Sequence, residues 1–262
     1  MTQRLDLLST SRAGDAGYLA AADLAEIADE LAVDYRLIGG NAVSLLTWVH
    51  GVQDATPGRE TADADFGADG KVIGDPRLPD ALTARGYAPQ RSNRFHRTIV
   101  DARGDLELVI DVLAPSFAGE LVNSQRYGDL YVDEVPGLAL AIQRPATVVE
   151  VRVRLSGGES LETTLRLPDV VAALILKAYA FRGRYADRDA LDIWRLLEAA
   201  RAAGVTVESW PKSASGRDAA TILNRRFGHV GGGGLKGATA DRANQARIRA
   251  LLASIVPRAN ST

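Results

Sequence analysis

The sequence contains no cysteine, which excludes disulfide cross-links and any metal site built on thiolates. Long apolar runs are missing as well: the longest, VVAALIL at residues 170–176, is far too short to span a bilayer. The opening residues, MTQRLDLLSTSRAGDAGY, lack the uninterrupted apolar stretch of a signal peptide. These absences predict a cytoplasmic protein with no membrane partner. Charge of one sign is not in excess, and a formal net charge of −2 gives no overall argument for nucleic acid. His50, His96 and His229 show no metal-ligand spacing, so no catalytic role is expected of them.

What is present is ordinary in bulk and uneven in detail. The chain has 262 residues, 46% hydrophobic and 24% charged, enough for one large domain or two small ones. Residues 1–149 hold 13 Lys/Arg against 22 Asp/Glu, whereas residues 150–262 hold 18 against 11. That split suits an acidic, metal-binding part and a basic, phosphate-binding part, and equally two parts that attract each other.

Leu24, Ile27 and Leu31 share one helical face. DYRLIGG then reads as a short strand ending in glycines, and NAVSLLTWVHG as a helix closed by Gly51. After the polar loop VQDATPGRE, TADADFGA reads as a strand and PRLPDALTARGY as a helix. RFHRTIV and DLELVIDVL are extended in character; in the second, Leu106, Leu108, Ile110 and Val112 alternate with Glu107 and Asp111 on the other face. TVVEVRVRL and SLETTLRL, joined by SGGE, read as a hairpin.

From Pro168 the pattern turns helical, through PDVVAALILKAYAFRG, ADRDALDIWRLLEAARAAG, GRDAATILNRRFG and TADRANQARIRALLASIV. The order predicts an α+β core over residues 1–165 and a helical domain over 166–262. GGGG at 231–234 is expected to be a flexible joint or a glycine loop beside a phosphate.

Residues i and i+2 on a strand point the same way, so Asp63 and Asp65 present their carboxylates side by side, with Cα atoms about 7 Å apart. Read alone, the pair is either a solvated acidic edge or half of a metal site. Hard oxygen donors suit Mg²⁺ or Mn²⁺, and a third carboxylate on a neighbouring strand completes a site for phosphoryl chemistry. Asp111, interrupting LVIDVL, is the candidate, though it also reads as a polar residue on an exposed strand face. Gly39 and Gly40, at a strand-to-helix turn, let backbone N–H groups approach a triphosphate.

Lys177 shares a helical face with Val170 and Leu174, where an ammonium needs an anion or a route to the domain edge. Asp189 and Asp192 lie i and i+3 on the next helix and are free, on sequence grounds, to pair with Arg188 or Arg195 on a solvated face. Arg182, Arg184 and Arg188 interleave with Tyr179, Phe181 and Tyr185, a composition suited to an RNA backbone and unpaired bases, or to the end of a helix dipole.

The ordered set IGGNAVSLL, RETADADF, LKAYAFRGR and DRDALDIWRL resembles the AbiEii family, which includes the MenT-type toxins, within the polymerase β-like nucleotidyltransferase superfamily. The match covers about residues 36 to 197. It departs in Asn41, where Ser or Thr is common, and in Ala64, where a branched aliphatic is usual.

The resemblance implies a palm with a mixed sheet, flanking helices and a helical C-terminal domain. It implies that Asp63 and Asp65 hold the metal, that Gly39, Gly40, Thr61 and Lys177 bind the nucleotide, and that Asp63, Asp65, Thr61, Lys177, Asp189 and Asp192 form the catalytic set. The expected activity is Mg²⁺-dependent transfer of nucleotides from an NTP to the tRNA 3′ end by a toxin with a cognate antitoxin. A protein or small-molecule hydroxyl as acceptor, and a catalytically silent nucleotide-binding module, are the alternative expectations.

Overall fold

The computed structural model describes residues 2–258. In chain order the elements are β1 (Gln3–Leu8), α1 (Arg12–Leu31), β2 (Arg36–Ile38), α2 (Gly39–Val49), β3 (Asp63–Gly67), α3 (Gly70–Ile73), α4 (Arg77–Ala84), β4 (Ala88–Arg91), β5 (Arg94–Asp101) and β6 (Gly104–Ser116). They continue with β7 (Val122–Tyr127), β8 (Leu130–Pro136), α5 (Leu138–Gln143), β9 (Thr147–Arg154), β10 (Ser160–Leu167), α6 (Val170–Arg184), α7 (Asp187–Ala202), α8 (Ala214–Phe227), α9 (Gly233–Ala238) and α10 (Arg242–Ile255). The protein is α+β with a mixed sheet. Among the described residues no helix is long and apolar enough to cross a membrane.

Contacts divide the chain into two units. The first runs to Ala42 and then from Arg59 to Pro168; the second comprises Val43–Gly58 and the chain from Asp169 on. The helical unit therefore includes an early segment that the sequence division at residues 165/166 assigns to the first.

The first unit holds both sheets. One runs β1-β9-β10, with β1 parallel to β9 and β10 antiparallel to it. The other runs β2-β3-β6-β5-β4, with β8 added parallel to the end of β6 and β7 paired to β8. The 13-residue strand β6 is its hub, parallel to β3 and antiparallel to β5. Leu106, Leu108, Ile110 and Val112 are all buried, as their alternation predicts.

On that face Leu24 and Ile27 of α1 and Leu78 and Leu82 of α4 close over Phe66, Ile110 and Val112. Burying each such side chain contributes roughly 1.5–3 kcal/mol. Arg36, 3% exposed, fixes β2 by donating to the carbonyls of Ala141, Ile142 and Arg144 at 2.8–3.1 Å, beyond the reach of any local sequence rule.

Asp15 ties α1 to the β9–β10 turn. Only 1% exposed, it accepts from the Ser156 backbone N–H at 2.9 Å and from Ser156 Oγ at 2.5 Å. Burial alone would raise its pKa, but the two Ser156 hydrogen bonds and the nearby Arg103 outweigh it and hold the carboxyl below its ordinary value. A lowered folded-state pKa means stability that is present above the ordinary carboxylate range and lost as pH falls through the folded value. Asp15→Asn should therefore lower the urea midpoint at pH 7, by about 1–3 kcal/mol of stability, and flatten its fall below about pH 4.

In the second unit, α6 is buried over most of its circumference, which explains its nearly continuous apolar sequence. Asp169 caps it by accepting from the N–H groups of Val171 and Ala172. Only the first half of the GGGG run lies outside regular structure: Gly233 and Gly234 open α9. A Cβ on Gly234 would lie 2.4 Å from the Phe227 ring, so glycine there permits close packing rather than flexibility.

Candidate metal and nucleotide site

The register of the large sheet places four residues in one row across neighbouring strands. Ile38 of β2 pairs with Asp65 of β3, Asp65 with Asp111 of β6, and Asp111 with Arg94 of β5. Alternation sends Ala64 and Phe66, both nearly fully buried, to the core face and leaves Asp63 and Asp65 on the other. Asp63, Asp65 and Asp111 each offer an oxygen within 4.8 Å of the others, a set of hard donors that could hold a divalent ion. As an all-oxygen set it fits Mg²⁺ or Mn²⁺.

The turn from β2 into α2 closes on this row. Gly39 has φ +74°, and a Cβ there would lie 1.6 Å from Asp65 Oδ2. A Cβ on Gly40 would come within 2.2 Å of Thr61 Oγ1 and 2.6 Å of Arg59 Nη1. Both glycines are thus steric requirements of the approach between the turn and the acidic strand. Gly39→Ala is expected to displace the Asp65 carboxylate and to cost about 1–3 kcal/mol in backbone strain alone. Thermal unfolding and Mn²⁺ titration of the variant check both effects.

Asn41 continues the contact, donating from Nδ2 to the Asp63 carbonyl at 2.8 Å. It is 9% exposed and pins the first turn of α2 to β3, a role that its place in the sequence gave no reason to assign. Thr61 is 8% exposed, and its Oγ1 has no hydrogen-bond partner among the described residues. A buried hydroxyl left in that state is costly unless a ligand completes it.

Sequence reasoning missed Arg94. Its Nε donates to Asp111 Oδ1 at 2.8 Å and its Nη2 to Asp111 Oδ2 at 2.6 Å, while Nη2 lies 3.8 Å from Asp63 Oδ2. The hydrogen bonds to Asp111, helped by the charges of Asp111, Asp63 and Asp65, push the Arg94 pKa further above its ordinary value, against the opposing effect of burial. The only available signal was its position at the start of RFHRTIV, and the antiparallel register that aims it at Asp111 is not written in that stretch.

Lys177, Asp189 and Asp192 belong to the second unit, where the structure brings them together. Lys177 Nζ lies 2.7 Å from Asp192 Oδ2 and 3.3 Å from Asp189 Oδ1. Arg184 reaches both oxygens of Asp189 at 2.9 and 3.1 Å, and Arg195 Nη1 lies 3.6 Å from Asp192 Oδ1. Lys177 is 7% exposed and both aspartates 0%, which corrects the picture of a solvated acidic face. The aspartates are buried because α7 turns them inward toward α6, where Lys177 meets them.

Of the three arginines considered for RNA, Arg184 is engaged by Asp189, and Arg182 pairs with Asp218 at 3.0 Å while lying over Tyr179 at 4.9 Å. Arg188 is exposed. The predicted residues thus form two clusters, each intact within its own unit. Against known proteins, no family model matches the chain and no curated protein matches it significantly.

Proposed function

We propose that the protein is a nucleotidyltransferase of the AbiEii/MenT kind, built on a polymerase β-like palm, that transfers nucleotides from an NTP to the 3′ end of tRNA. The reading also includes a cytoplasmic toxin restrained by a cognate antitoxin. The observation that carries it is the convergence of Asp63, Asp65 and Asp111 beside the Gly39–Gly40 turn.

Asp63 and Asp65 would hold Mg²⁺ or Mn²⁺, with Asp111 within reach. A divalent ion bound there supplies charge neutralisation for the phosphates and polarises their oxygens. Gly39 and Gly40 keep the turn clear of side chains, so backbone amides at the start of α2 can approach phosphate oxygens. Thr61 offers an unpaired hydroxyl beside that turn. By the resemblance, Lys177 would neutralise triphosphate charge, and Asp189 and Asp192 would belong to the catalytic set.

In the reaction, an acceptor hydroxyl oxygen bonds to the α-phosphorus, the bond to the β-phosphate oxygen breaks, and pyrophosphate leaves. The acceptor proton is released to solvent. Each α-labelled NTP, incubated in turn with total tRNA, cell lysate and the Asp63→Ala control, tests this. Label on tRNA that disappears with the control is the expected result. Label on protein alone would move the acceptor, and absence of both transfer and Mn²⁺-dependent NTP binding would refute the reading.

A further inference from the structure

Resting on that reading, we infer that Arg94 is a phosphate-binding residue. Anchored by Asp111, it holds a fixed positive charge at the edge of the acidic cluster.

Three observations lead there. Asp111 meets the guanidinium through both oxygens, at 2.6 and 2.8 Å, the fork-to-fork geometry that fixes an arginine in direction as well as in place. In charge, Arg94 offsets part of the repulsion among the three carboxylates, pairing with Asp111 and lying 3.8 Å from Asp63 Oδ2. Finally, Arg94 spends only Nε and Nη2 on Asp111, and its Nη1 makes no hydrogen bond among the described residues. Its side chain is 34% exposed, against 11% for Asp111, so the free end of the fork is open to a ligand while the anchored end is covered.

The placement also suits an anion. Arg94 and the Gly39–Gly40 turn lie at opposite ends of the row Ile38–Asp65–Asp111–Arg94, with the carboxylates between them. Phosphates laid along that row would meet backbone amides at one end, metal in the middle and a guanidinium at the other. Arginine suits this better than lysine, because its planar fork can hold a carboxylate on one edge and a phosphate oxygen on another.

Calorimetric titrations of the full chain with Mn²⁺ alone, and of the Mn²⁺-saturated chain with inorganic tripolyphosphate, test the inference without any turnover. Arg94→Gln is expected to bind Mn²⁺ about tenfold more tightly and tripolyphosphate about tenfold more weakly, with Arg94→Lys between the two. Opposite signs for cation and anion are what a charge shared by both ligands produces. If Arg94→Gln weakened both, Arg94 would merely hold β5 against β6, and the inference would fall; an unchanged tripolyphosphate affinity would also sink it. Asp63→Asn separates this failure from that of the wider reading. If Asp63→Asn left Mn²⁺ binding intact, the metal site itself would be wrong. If it lost Mn²⁺ while Arg94→Gln showed no reversal of sign, only the role of Arg94 would be.

Discussion

Lys177→Ala is expected to destabilise the protein by about 3–5 kcal/mol, because it strands Asp189 and Asp192 where water cannot reach them. Arg184 and Arg195 keep some of that charge paired, which places the effect toward the lower end of the range. Removing the Asp192 charge as well should restore much of the loss: Lys177→Met with Asp192→Asn leaves an apolar stem beside a neutral amide. Urea denaturation of Lys177→Met, of Asp192→Asn and of the double variant, compared at equal m-value, gives the coupling. A Lys177→Ala midpoint equal to wild type would show that the network does not hold α6 to α7. Any loss of transfer in this variant must be expressed per folded molecule, since the same lysine serves both the fold and the proposed chemistry.

Asp63→Asn is expected to behave in the opposite way. Its side chain is 38% exposed and lies among other carboxylates with a loose 3.8 Å pair to Arg94, so neutralising it trades relief of repulsion against loss of a weak attraction. Stability should change by less than about 0.5 kcal/mol. The proposed nucleotide transfer should fall by a factor on the order of 10³, equivalent to roughly 4 kcal/mol of lost transition-state stabilisation. The two measurements together separate a chemical role from a structural one. A variant that lost activity only in proportion to lost fold would remove Asp63 from the metal set.

The parts of this site that sequence made legible are those carried by local periodicity. The alternation of Leu106, Leu108, Ile110 and Val112 identifies the core face of β6 and, by subtraction, puts Asp111 on the other. The same rule separates Asp63 and Asp65 from Ala64 and Phe66. The cost of burying an ammonium showed that Lys177 needs an anion or a route to the domain edge, although not that two aspartates on the following helix would meet it.

What was illegible depends on pairing between distant segments. Nothing local says that Asp65 faces Asp111 across a parallel ladder, or that Arg94 comes next in the row. The N-terminal strand β1 finds its partner in β9, from Gln3 opposite Val149 onward, and such a long-range parallel pairing has no turn to announce it. β7, β8 and α5 went unread for a similar reason: residues such as Asn123, Ser124 and Gln125 lack the apolar alternation that marks a strand. Gly234 was misread because composition reports how freely a residue can move, whereas this glycine is there for the space that Phe227 occupies.

The helix that carries Gly39 and Gly40 has a consequence for dissecting the molecule. α2 starts in one unit and finishes in the other, and the chain changes units at Ala42, Gly58 and Pro168. No single proteolytic cut can therefore release either unit whole. A fragment ending at Pro168 would retain Val43, Leu45 and Leu46, all at most 1% exposed in the intact chain, without the helices of their own unit. Excision of the sheet-bearing half is thus a repacking problem, in which those three positions need polar replacements before the fragment can be handled alone.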